Sequence, residues 1–457
     1  MATVTAKKVD GRADGRAFLA QAEKYRDDMV RFLRDLIRIP SESAQEEKVV
    51  MRIKQEMEKL GFDEIKIDGF GNILGRIGSG SRKFAIDAHI DTVGVGDPDT
   101  WKWDPFEGKV ENGTIYGRGA CDQTGGMVSA VYAGRILKDL GVSSDFTAYM
   151  VGTVMEEDCD GLCWLYILRE ENPGVECVII TEPTNLQVYR GHRGRMEIEV
   201  TTKGLSCHGS APERGVNAVY KMAPIVREIE SLNNRLRKDA FLGKGTVTIS
   251  DIRATSPSLC AVADSCTIHL DRRLTAGETK QSAVEEIKAA AKRAGMADAQ
   301  VRILEYRRPT WKNKVYPMEK YYPTWVLEEN HPLIQCAAES YRRVFKKDSP
   351  IGKWTFSTNG VSIAGLCGVP CFGFGPAEES TAHSPMDQCP IDHLVKAAAF
   401  YAQFAPTFVE TTRRDQIRLS APPGAASSTA SGNGRRRLRR PRGSSAAKPA
   451  ARSRRSR

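Results

Sequence analysis

Short, continuously apolar segments that alternate with helical segments constrain the fold of this 457-residue chain more than any other feature. Apolar runs typical of buried strands lie at 84–90 (FAIDAHI), 146–154 (FTAYMVGTV) and 176–181 (ECVIIT). A helical stretch, GGMVSAVYAGRILKDLG at 125–141, lies between the first two. Strands that are apolar on both faces and alternate with helices indicate an α/β fold. We therefore predict a central mixed, mostly parallel sheet between layers of helices.

Two helical patterns precede the first of these strands. One ends before Pro40, and the next is predicted to begin at a capping box formed by Ser43 and Glu46 and to end at Gly61. Apolar residues in both recur every three or four positions, which predicts a buried face on each helix.

The polarity pattern of the sequence changes near residue 196. The strands RMEIEVTTKG, GTVTISDI and CTIHLDRRL alternate in polarity and flank two polar helical stretches. This pattern predicts a smaller α+β domain at 196–306, inserted into a larger domain formed by 1–195 and 307–411.

Positive charge is concentrated at the C-terminal end of the chain. The formal net charge is +10, yet residues 413–457 hold 14 Lys and Arg against one acid, a net of +13, so residues 1–412 carry 10 − 13 = −3. The segment 412–457 is rich in Arg, Ser, Ala and Pro, which predicts a disordered basic tail. Nonspecific binding of nucleic acid or an acidic surface through this tail is an alternative function, although the tail lacks aromatic residues for base stacking.

The cysteines and the hydropathy of the sequence indicate the cellular compartment of the protein. The eleven cysteines are scattered, and the CxxxC spacing of Cys159/Cys163 and Cys367/Cys371 matches no standard zinc knuckle. With no secretory leader and no apolar run of the length of a membrane span, we expect reduced thiols and a soluble cytoplasmic protein that does not bind membranes.

Candidate metal ligands lie at the ends of the apolar strands. The stretch at 151–161, VGTVMEEDCDG, places consecutive acids at a strand end, where burial requires a nearby cation. His89 and Asp91 are two residues apart and point to the same side of a strand, so Asp91 can accept a hydrogen bond from the imidazole. Each motif alone has an ordinary structural explanation, but their joint occurrence favours a metal site. The candidate ligands are His89, Asp122, Glu157, Glu182 and His383.

The order of these motifs resembles the co-catalytic zinc amidohydrolases of peptidase family M20, which include aminoacylase, glutamate carboxypeptidase, acetylornithine deacetylase and succinyl-diaminopimelate desuccinylase. The resemblance covers almost the whole chain before the tail and points to the YgeY-type, selenium-metabolism-linked hydrolase branch. The stretches that carry it are EEDCDGLCW, SCHGSAPERG, CAVADSC and KWTFSTNGVSI. It implies a zinc-peptidase-like catalytic domain and an inserted ferredoxin-like lid and dimerisation domain.

The resemblance also implies two zinc ions per chain, with cobalt or manganese as substitutes in a carboxylate-rich site. The implied ligands are His89 and Glu182 for one ion, Glu157 and His383 for the other, and Asp122 for both. Glu156 is then the general base, which takes a proton from a water whose pKa the zinc ions lower to about 7. Asp91 is expected to belong with the catalytic residues, because its carboxylate would accept a hydrogen bond from the imidazole of His89.

Further site residues follow from the same resemblance. His208 is expected to reach a reacting carbonyl across a homodimer interface and to stabilise the oxyanion, with Asn217 in the same pocket. Arg273 matches the Asp-x-Arg pattern of the family and is expected to bind a substrate carboxylate. Gly360 is expected in the backbone segment that closes the substrate pocket.

The predicted function is hydrolysis of an amide-type C–N bond in a small, carboxylate-bearing substrate, such as an N-acyl amino acid or a dipeptide. A catalytically silent member of the fold is the remaining alternative. The five ligands and the base are all present, which argues against that alternative.

Overall fold

The computed structural model of the chain describes residues 15–142 and 145–415. Most helices in these ranges are amphipathic and bury their apolar faces, as the sequence periodicity predicts. The α-helices are α1 Gly15–Glu23, α2 Arg26–Ile37, α3 Glu47–Lys59, α4 Gly125–Asp139, α5 Leu162–Tyr166, α6 Ala218–Arg235, α7 Lys280–Arg293, α8 Pro332–Phe345 and α9 Ile391–Asp415.

The strands of the described residues differ widely in length, and many of them contain only two or three residues. In chain order they are β1 Glu64–Ile67, β2 Ile73–Gly78, β3 Arg82–His89, β4 Lys109–Glu111, β5 Thr114–Tyr116, β6 Phe146–Thr153, β7 Cys177–Ile180, β8 Val188–Tyr189, β9 Gly191–His192, β10 Gly194–Lys203, β11 Lys238–Asp239, β12 Gly243–Lys244, β13 Thr246–Thr255, β14 Ser265–Leu274, β15 Gln300–Ile303, β16 Glu305–Tyr306, β17 Met318–Glu319, β18 Tyr321–Tyr322, β19 Trp325–Val326, β20 Ile351–Gly352, β21 Cys371–Gly373 and β22 Gln388–Pro390.

The larger sheet has eight strands in the order β1-β2-β6-β3-β7-β21-β8-β20. Its central strands β6, β3, β7 and β21 are parallel to one another, whereas β1 and β2 pair antiparallel with their neighbours, and β8 pairs antiparallel with β21 and parallel with β20. All residues of β7 and the last six of β3 are buried, because helices and loops cover both faces of the sheet. The predicted mixed, mostly parallel sheet is therefore confirmed.

A second sheet has the order β13-β14-β10-β15, with β18 paired to the start of β10. Together with α6 and α7 the chain order is β-α-β-β-α-β, the ferredoxin-like arrangement. Buried side chains alternate along β14 and join those of α6 and α7 in an apolar core separate from that of the larger sheet. The predicted boundaries at 196–306 and the role as a lid stay predictions, and the sheet itself extends from Gly194 to Tyr322.

The C-terminal helix continues further than the sequence suggests. α9 reaches Asp415, so the predicted start of the tail at residue 412 falls inside a helix. The stretch from 407 to 415 contains neither Gly nor Pro, which explains why the helix does not end earlier. Residues 416–457, on which the nucleic-acid alternative depends, lie outside the described residues.

The structure bears on two further expectations. Across 15–142 and 145–415, no helix combines the length and the apolar character needed to cross a bilayer. All eleven cysteines are free thiols, and most of them are buried.

Candidate metal centre

The candidate ligands sit at the carboxyl ends of parallel strands and in two nearby loops. His89 is the last residue of β3, Glu157 lies in the turn after β6, and Glu182 follows the end of β7 by two residues. Because the carboxyl ends of neighbouring parallel strands meet at one edge of the sheet, the topology brings these side chains together. Asp122 lies in the turn before α4, and His383 lies in the loop before β22.

Asp122 occupies the middle of the cluster and directs one oxygen toward each histidine. Its Oδ1 is 2.9 Å from His89 Nε2, and its Oδ2 is 3.1 Å from His383 Nε2. On one side, Glu182 Oε1 is 3.5 Å from His89 Nε2. On the other side, Glu157 Oε2 is 3.0 Å from His383 Nε2. The five residues therefore form two ligand sets that share Asp122, with the ligand atoms of each set within 4.8 Å of one another.

These residues fit a pair of divalent ions. Imidazole nitrogen and carboxylate oxygen are ligands of zinc, and they also suit cobalt and manganese. Two buried carboxylate oxygens at the centre, Glu182 Oε2 and Glu156 Oε1, have no hydrogen-bond partner among the described residues. Burying such oxygens is unfavourable, so cations bound between the carboxylates would remove that penalty.

The surrounding acids change the protonation of both histidines. Burial would lower the pKa of His89, but the charge of Glu182 and a hydrogen bond with Asp122 raise this pKa well above its ordinary value. Hydrogen bonds to Asp122 and Glu157 raise the pKa of His383 to about 10. A histidine nitrogen must be unprotonated to bind a metal, so metal binding at this centre must release protons.

Glu156 is buried next to the ligands but belongs to neither ligand set. Burial raises the pKa of its carboxyl well above the ordinary range, an effect that the charge of His89 opposes and the charge of Asp160 reinforces. A raised pKa suits a group that first accepts and then donates a proton near neutral pH. The arrangement can therefore place a proton acceptor beside two divalent ions.

Two buried carboxylates from outside the ligand sets hold the turn that carries Glu156 and Glu157. Asp91 accepts from both of their amides, through Oδ1 at 3.1 Å and Oδ2 at 3.0 Å respectively. Glu46 Oε1 accepts from the preceding amide, that of Met155, at 3.0 Å. Met155 has φ of 66°, a left-handed conformation that is unfavourable for a residue with a side chain. These three hydrogen bonds stabilise the turn in that conformation.

The structure corrects the predicted contact between His89 and Asp91. The imidazole Nδ1 donates to the backbone oxygen of Asp91 at 2.9 Å, while the carboxylate Oδ1 is 3.7 Å away. The carbonyl group fixes the tautomer that leaves Nε2 available as a ligand, and the carboxylate is free to bind the turn. The predicted capping box is also wrong, because Ser43 Oγ donates to Asp91 Oδ2 at 2.6 Å and Glu46 makes no side-chain cap at the start of α3.

Asp387 holds the turn that carries Asp122 in the way that Asp91 holds the turn of Glu156 and Glu157. The sequence analysis missed this residue. Its Oδ1 accepts from the Cys121 amide and its Oδ2 from the Gly119 amide, both at 2.8 Å. Asp387 follows His383 by four residues, so it ties the loop of one ligand to the turn of another. Its short distance from His383 in the sequence is the one signal that suggests a place near the site.

The ligands face a cavity of about 410 Å³. Arg273, the predicted carboxylate-binding residue, lines this cavity and pairs with Asp271 through Nε at 2.7 Å and Nη2 at 2.9 Å. Arg195 stands directly opposite Arg273 on the neighbouring strand β10 and also lines the cavity. Its guanidinium pairs with Asp160 at 2.9 Å. The sequence analysis missed Arg195 and Asp160, because only the pairing of β10 with β14 brings them to the cavity.

Four predicted residues lie outside the set of described residues that line the cavity, namely Asp91, which holds the turn described above, and His208, Asn217 and Gly360. His208 is exposed on the second sheet's loop, where its Nδ1 accepts from Ser210 at 2.7 Å. Asn217 caps α6 by accepting from the Val219 amide at 2.9 Å, which is an ordinary structural role. Gly360 is buried against Trp325, whereas residues 355–357 of the same segment line the cavity.

Comparisons with known proteins agree with this fold. Residues 85–407 match the family described as Peptidase family M20/M25/M40. YgeY of Escherichia coli strain K12, described as an uncharacterized protein, is 53% identical over 393 residues, which are 86% of this chain and 97% of that protein. A Staphylococcus epidermidis protein described as "Probable succinyl-diaminopimelate desuccinylase" is 33% identical over 206 residues, 44% of this chain and 51% of that protein.

The solved structures show the same architecture. The YXEP protein of Bacillus subtilis, described as a dinuclear metal binding peptidase from the M20 family, superimposes with a TM-score of 0.63. The match has 16% sequence identity and covers 85% of this chain and 99% of that chain, so it bears on the fold alone.

The chain belongs to peptidase family M20, a family of metal-dependent hydrolases. Both the predicted family and the YgeY-type branch are confirmed.

Proposed function

We propose that this protein is a dinuclear zinc hydrolase that cleaves an amide-type C–N bond in a small, carboxylate-bearing substrate. One observation carries the proposal: two ligand sets share Asp122, and the buried Glu156 lies beside them without belonging to either. When bound, two divalent ions would polarise the scissile carbonyl and lower the pKa of a water molecule. Zinc is our choice among the ions that this donor set suits.

Glu156 moves the proton in this proposal. Its carboxylate takes a proton from the attacking water, whose oxygen forms the new bond to the acyl carbon. The C–N bond then breaks, and Glu156 donates the proton to the leaving amine, which yields a carboxylic acid and a free amine. The raised pKa of the buried Glu156 carboxyl strengthens it as a proton acceptor.

Arg273 binds the substrate carboxylate. Its Nε and Nη2 pair with Asp271, its Nη1 makes no hydrogen bond within the described residues, and the residue lines the cavity. A guanidinium group whose orientation is fixed by a carboxylate is well placed to recognise an anionic group.

We also propose that the enzyme works as a homodimer through the second sheet and its helices. His208 lies away from the cavity of its own chain, on a surface where Leu205, Val216 and Tyr220 expose apolar side chains. Exposed apolar side chains of this kind are typical of an interface between copies. His208 would then serve the cavity of the other copy, with Asn217 and Gly360 as supports of the adjoining segments. Sedimentation of the full chain tests this, and a fully active monomer would contradict it.

The test of the proposed chemistry is a hydrolysis screen of zinc-loaded protein. The substrates are N-acetyl, N-succinyl, N-formyl and N-carbamoyl amino acids and simple dipeptides, and release of free amine is measured. Glu156→Gln should lower the rate about 100- to 10,000-fold, the range for loss of a general base, while zinc content stays near two per chain. Asp158→Asn is the matched control, because this neighbouring carboxylate pairs with Tyr306 and Arg308 outside the cavity. Equal rates for wild type and Glu156→Gln would show that Glu156 is not the base.

A further inference from the structure

One wall of the cavity is a short segment whose hydroxyl groups donate to two different carboxylates. Ser357 Oγ donates to Asp160, and Thr355 Oγ1 donates to Glu379. The Thr355 amide also donates to Glu379, at 3.3 Å. Phe356 lies between the two hydroxyl residues, and all five residues line the cavity. The segment therefore holds two of the carboxylates that line the cavity, each through a hydroxyl group.

These two carboxylates differ in how their charge is balanced. Asp160 is paired with Arg195 at 2.9 Å. Glu379 receives only the hydroxyl and amide of Thr355, and no Lys, Arg or His among the described residues lies within ion-pair distance of it. The remaining acids of the cavity are either ligands of the candidate metal centre or the candidate base Glu156. Among the described residues, Glu379 and Glu156 are thus the cavity carboxylates that belong to neither ligand set and form no ion pair, and Glu156 is already assigned as the candidate base.

A fixed carboxylate on the wall of a partly enclosed cavity favours a ligand that brings a positive charge to it. The surrounding protein lowers the effective dielectric constant, and a charge-assisted hydrogen bond is stronger than one between neutral groups. The side chain is only partly exposed, and the Thr355 hydroxyl and amide donate to one of its oxygens, so the other oxygen has no protein donor among the described residues. An ammonium group meets these requirements, because it is a compact donor with three N–H bonds.

We infer that Glu379 binds an ammonium group of the substrate, so that the enzyme prefers substrates with both a carboxylate and a free amine. Two sources of the ammonium group satisfy this chemistry: the free N-terminus of a short peptide, and the side chain of an acylated diamino acid. N-acyl derivatives of neutral amino acids lack the group and are disfavoured. This inference rests on the proposed function, since it narrows the substrate class of the same cavity.

Paired substrates that differ only in the ammonium group test the inference. The first pair is alanyl-alanine and its N-acetyl derivative, and the second is Nα-acetyl-lysine and N-acetyl-norleucine. The kcat/KM ratio within each pair is measured for wild type, Glu379→Gln and Glu378→Gln. Glu378 is the matched control, because it is the adjacent acid, is exposed and does not line the cavity. Gln at 379 keeps the acceptor oxygen for Thr355 and removes the charge.

We expect wild type to prefer the ammonium-bearing member of at least one pair, and the pair that responds identifies the source of the ammonium group. Glu379→Gln should reduce that preference about tenfold, mainly through KM, while Glu378→Gln should leave it within twofold. An unchanged preference in Glu379→Gln, or a wild type that prefers the neutral members, overturns the inference.

A binding measurement separates failure of this inference from failure of the proposed function. The same pairs are titrated calorimetrically into zinc-loaded Glu156→Gln protein, with and without Glu379→Gln. If wild type hydrolyses none of the four compounds but the ammonium-bearing ligands bind about tenfold more tightly when Glu379 is present, the proposed chemistry is wrong and the inference stands. If neither member of either pair binds, or if both members bind equally, the inference is wrong.

Discussion

The two ligand sets that share Asp122 differ in their exposure to water and in the elements that carry them. His89 and Glu182 follow central strands of the larger sheet, and their side chains are 1% and 3% exposed. His383 lies in a loop, and its side chain is 53% exposed. A ligand set that is fixed by the sheet and shielded from water should hold its ion more tightly than one that depends on a loop. Two ligand sets of similar chemistry can therefore differ in how tightly they hold an ion, because different structural elements carry them.

The largest effect is expected from the residue that both sets share. Asp122→Ala removes one ligand from each set and leaves His89 and His383 without their common partner. We expect zinc content to fall from about two to well below one per chain and activity to fall by more than about 100-fold, since even outer partners of metal ligands are worth 10- to 100-fold. Metal analysis after gel filtration and amine release provide the measurement. Retention of two zinc ions by the variant would show that Asp122 does not bridge them.

Replacing one histidine at a time separates the two sets. His383→Ala should lose the ion of the exposed set and keep the other, whereas His89→Ala should weaken the buried set. In wild type, chelator should remove one ion rapidly and the second at least about tenfold more slowly, because ligand substitution requires access to the site. Stopped-flow measurement with a chromogenic chelator detects both phases. If His383→Ala retains the rapid phase, the assignment of fast loss to the exposed set is wrong.

A smaller effect is expected at the turn that joins both sets to the base. Glu46→Ala leaves the amide of Met155 without its acceptor, and Glu46→Gln keeps a side-chain oxygen in place. Activity should fall about 10- to 100-fold in the Ala variant, as for other groups that orient metal ligands, mostly in kcat, and should be largely restored in the Gln variant. Glu56→Ala is the control, because it removes a different buried carboxylate, which lies within α3 and binds Arg52, Lys59 and Tyr132 instead of the turn. Similar losses in both Ala variants would indicate a general effect on folding.

The smallest effect concerns the pH dependence of stability. Burial, together with the charge of Asp91, raises the pKa of Glu46 to about 8 from 4.5. Between these values the folded protein binds a proton that the unfolded chain lacks, so this group makes stability fall as pH rises, by at most about 1.4 kcal/mol per pH unit. Glu46→Gln removes that slope. In chelator, its melting temperature relative to wild type should therefore rise between pH 5.5 and 7.5, and a constant or falling difference would contradict the assigned pKa.

The sequence predicts those features of the fold and the site that depend on local patterns of residues. The continuous apolar runs correctly predict the parallel centre of the larger sheet. The change of polarity pattern near residue 196 correctly predicts a second sheet with its own core. The five candidate ligands are brought together as predicted, since each one stands at the end of an apolar run or in a glycine-rich or proline-flanked loop. The predicted hydrogen bond from His89 to the Asp91 carboxylate is wrong, because spacing alone cannot distinguish a backbone carbonyl from a carboxylate as the histidine's acceptor.

Other features could not be read from the sequence because their partners are far apart in the chain. Asp387 binds amides about 267 residues earlier, at 119 and 121, and Glu46 binds the amide of Met155, 109 residues later. Glu46 even showed a local signal, the spacing to Ser43, but that signal favoured a helix cap that is not formed. Long-range hydrogen bonds of this kind leave no periodic trace in the sequence.

Hydrophobic periodicity and residue chemistry act locally, so the layers of the fold and a set of candidate ligands can be predicted from the sequence. The charge partners of the carboxylates depend instead on how the chain folds. Asp160 meets Arg195, Asp91 meets the amides of Glu156 and Glu157, and Glu379 is left without a cationic partner among the described residues. The physical reason is that electrostatic balance depends on distances of a few ångströms between segments that the folded topology alone brings together.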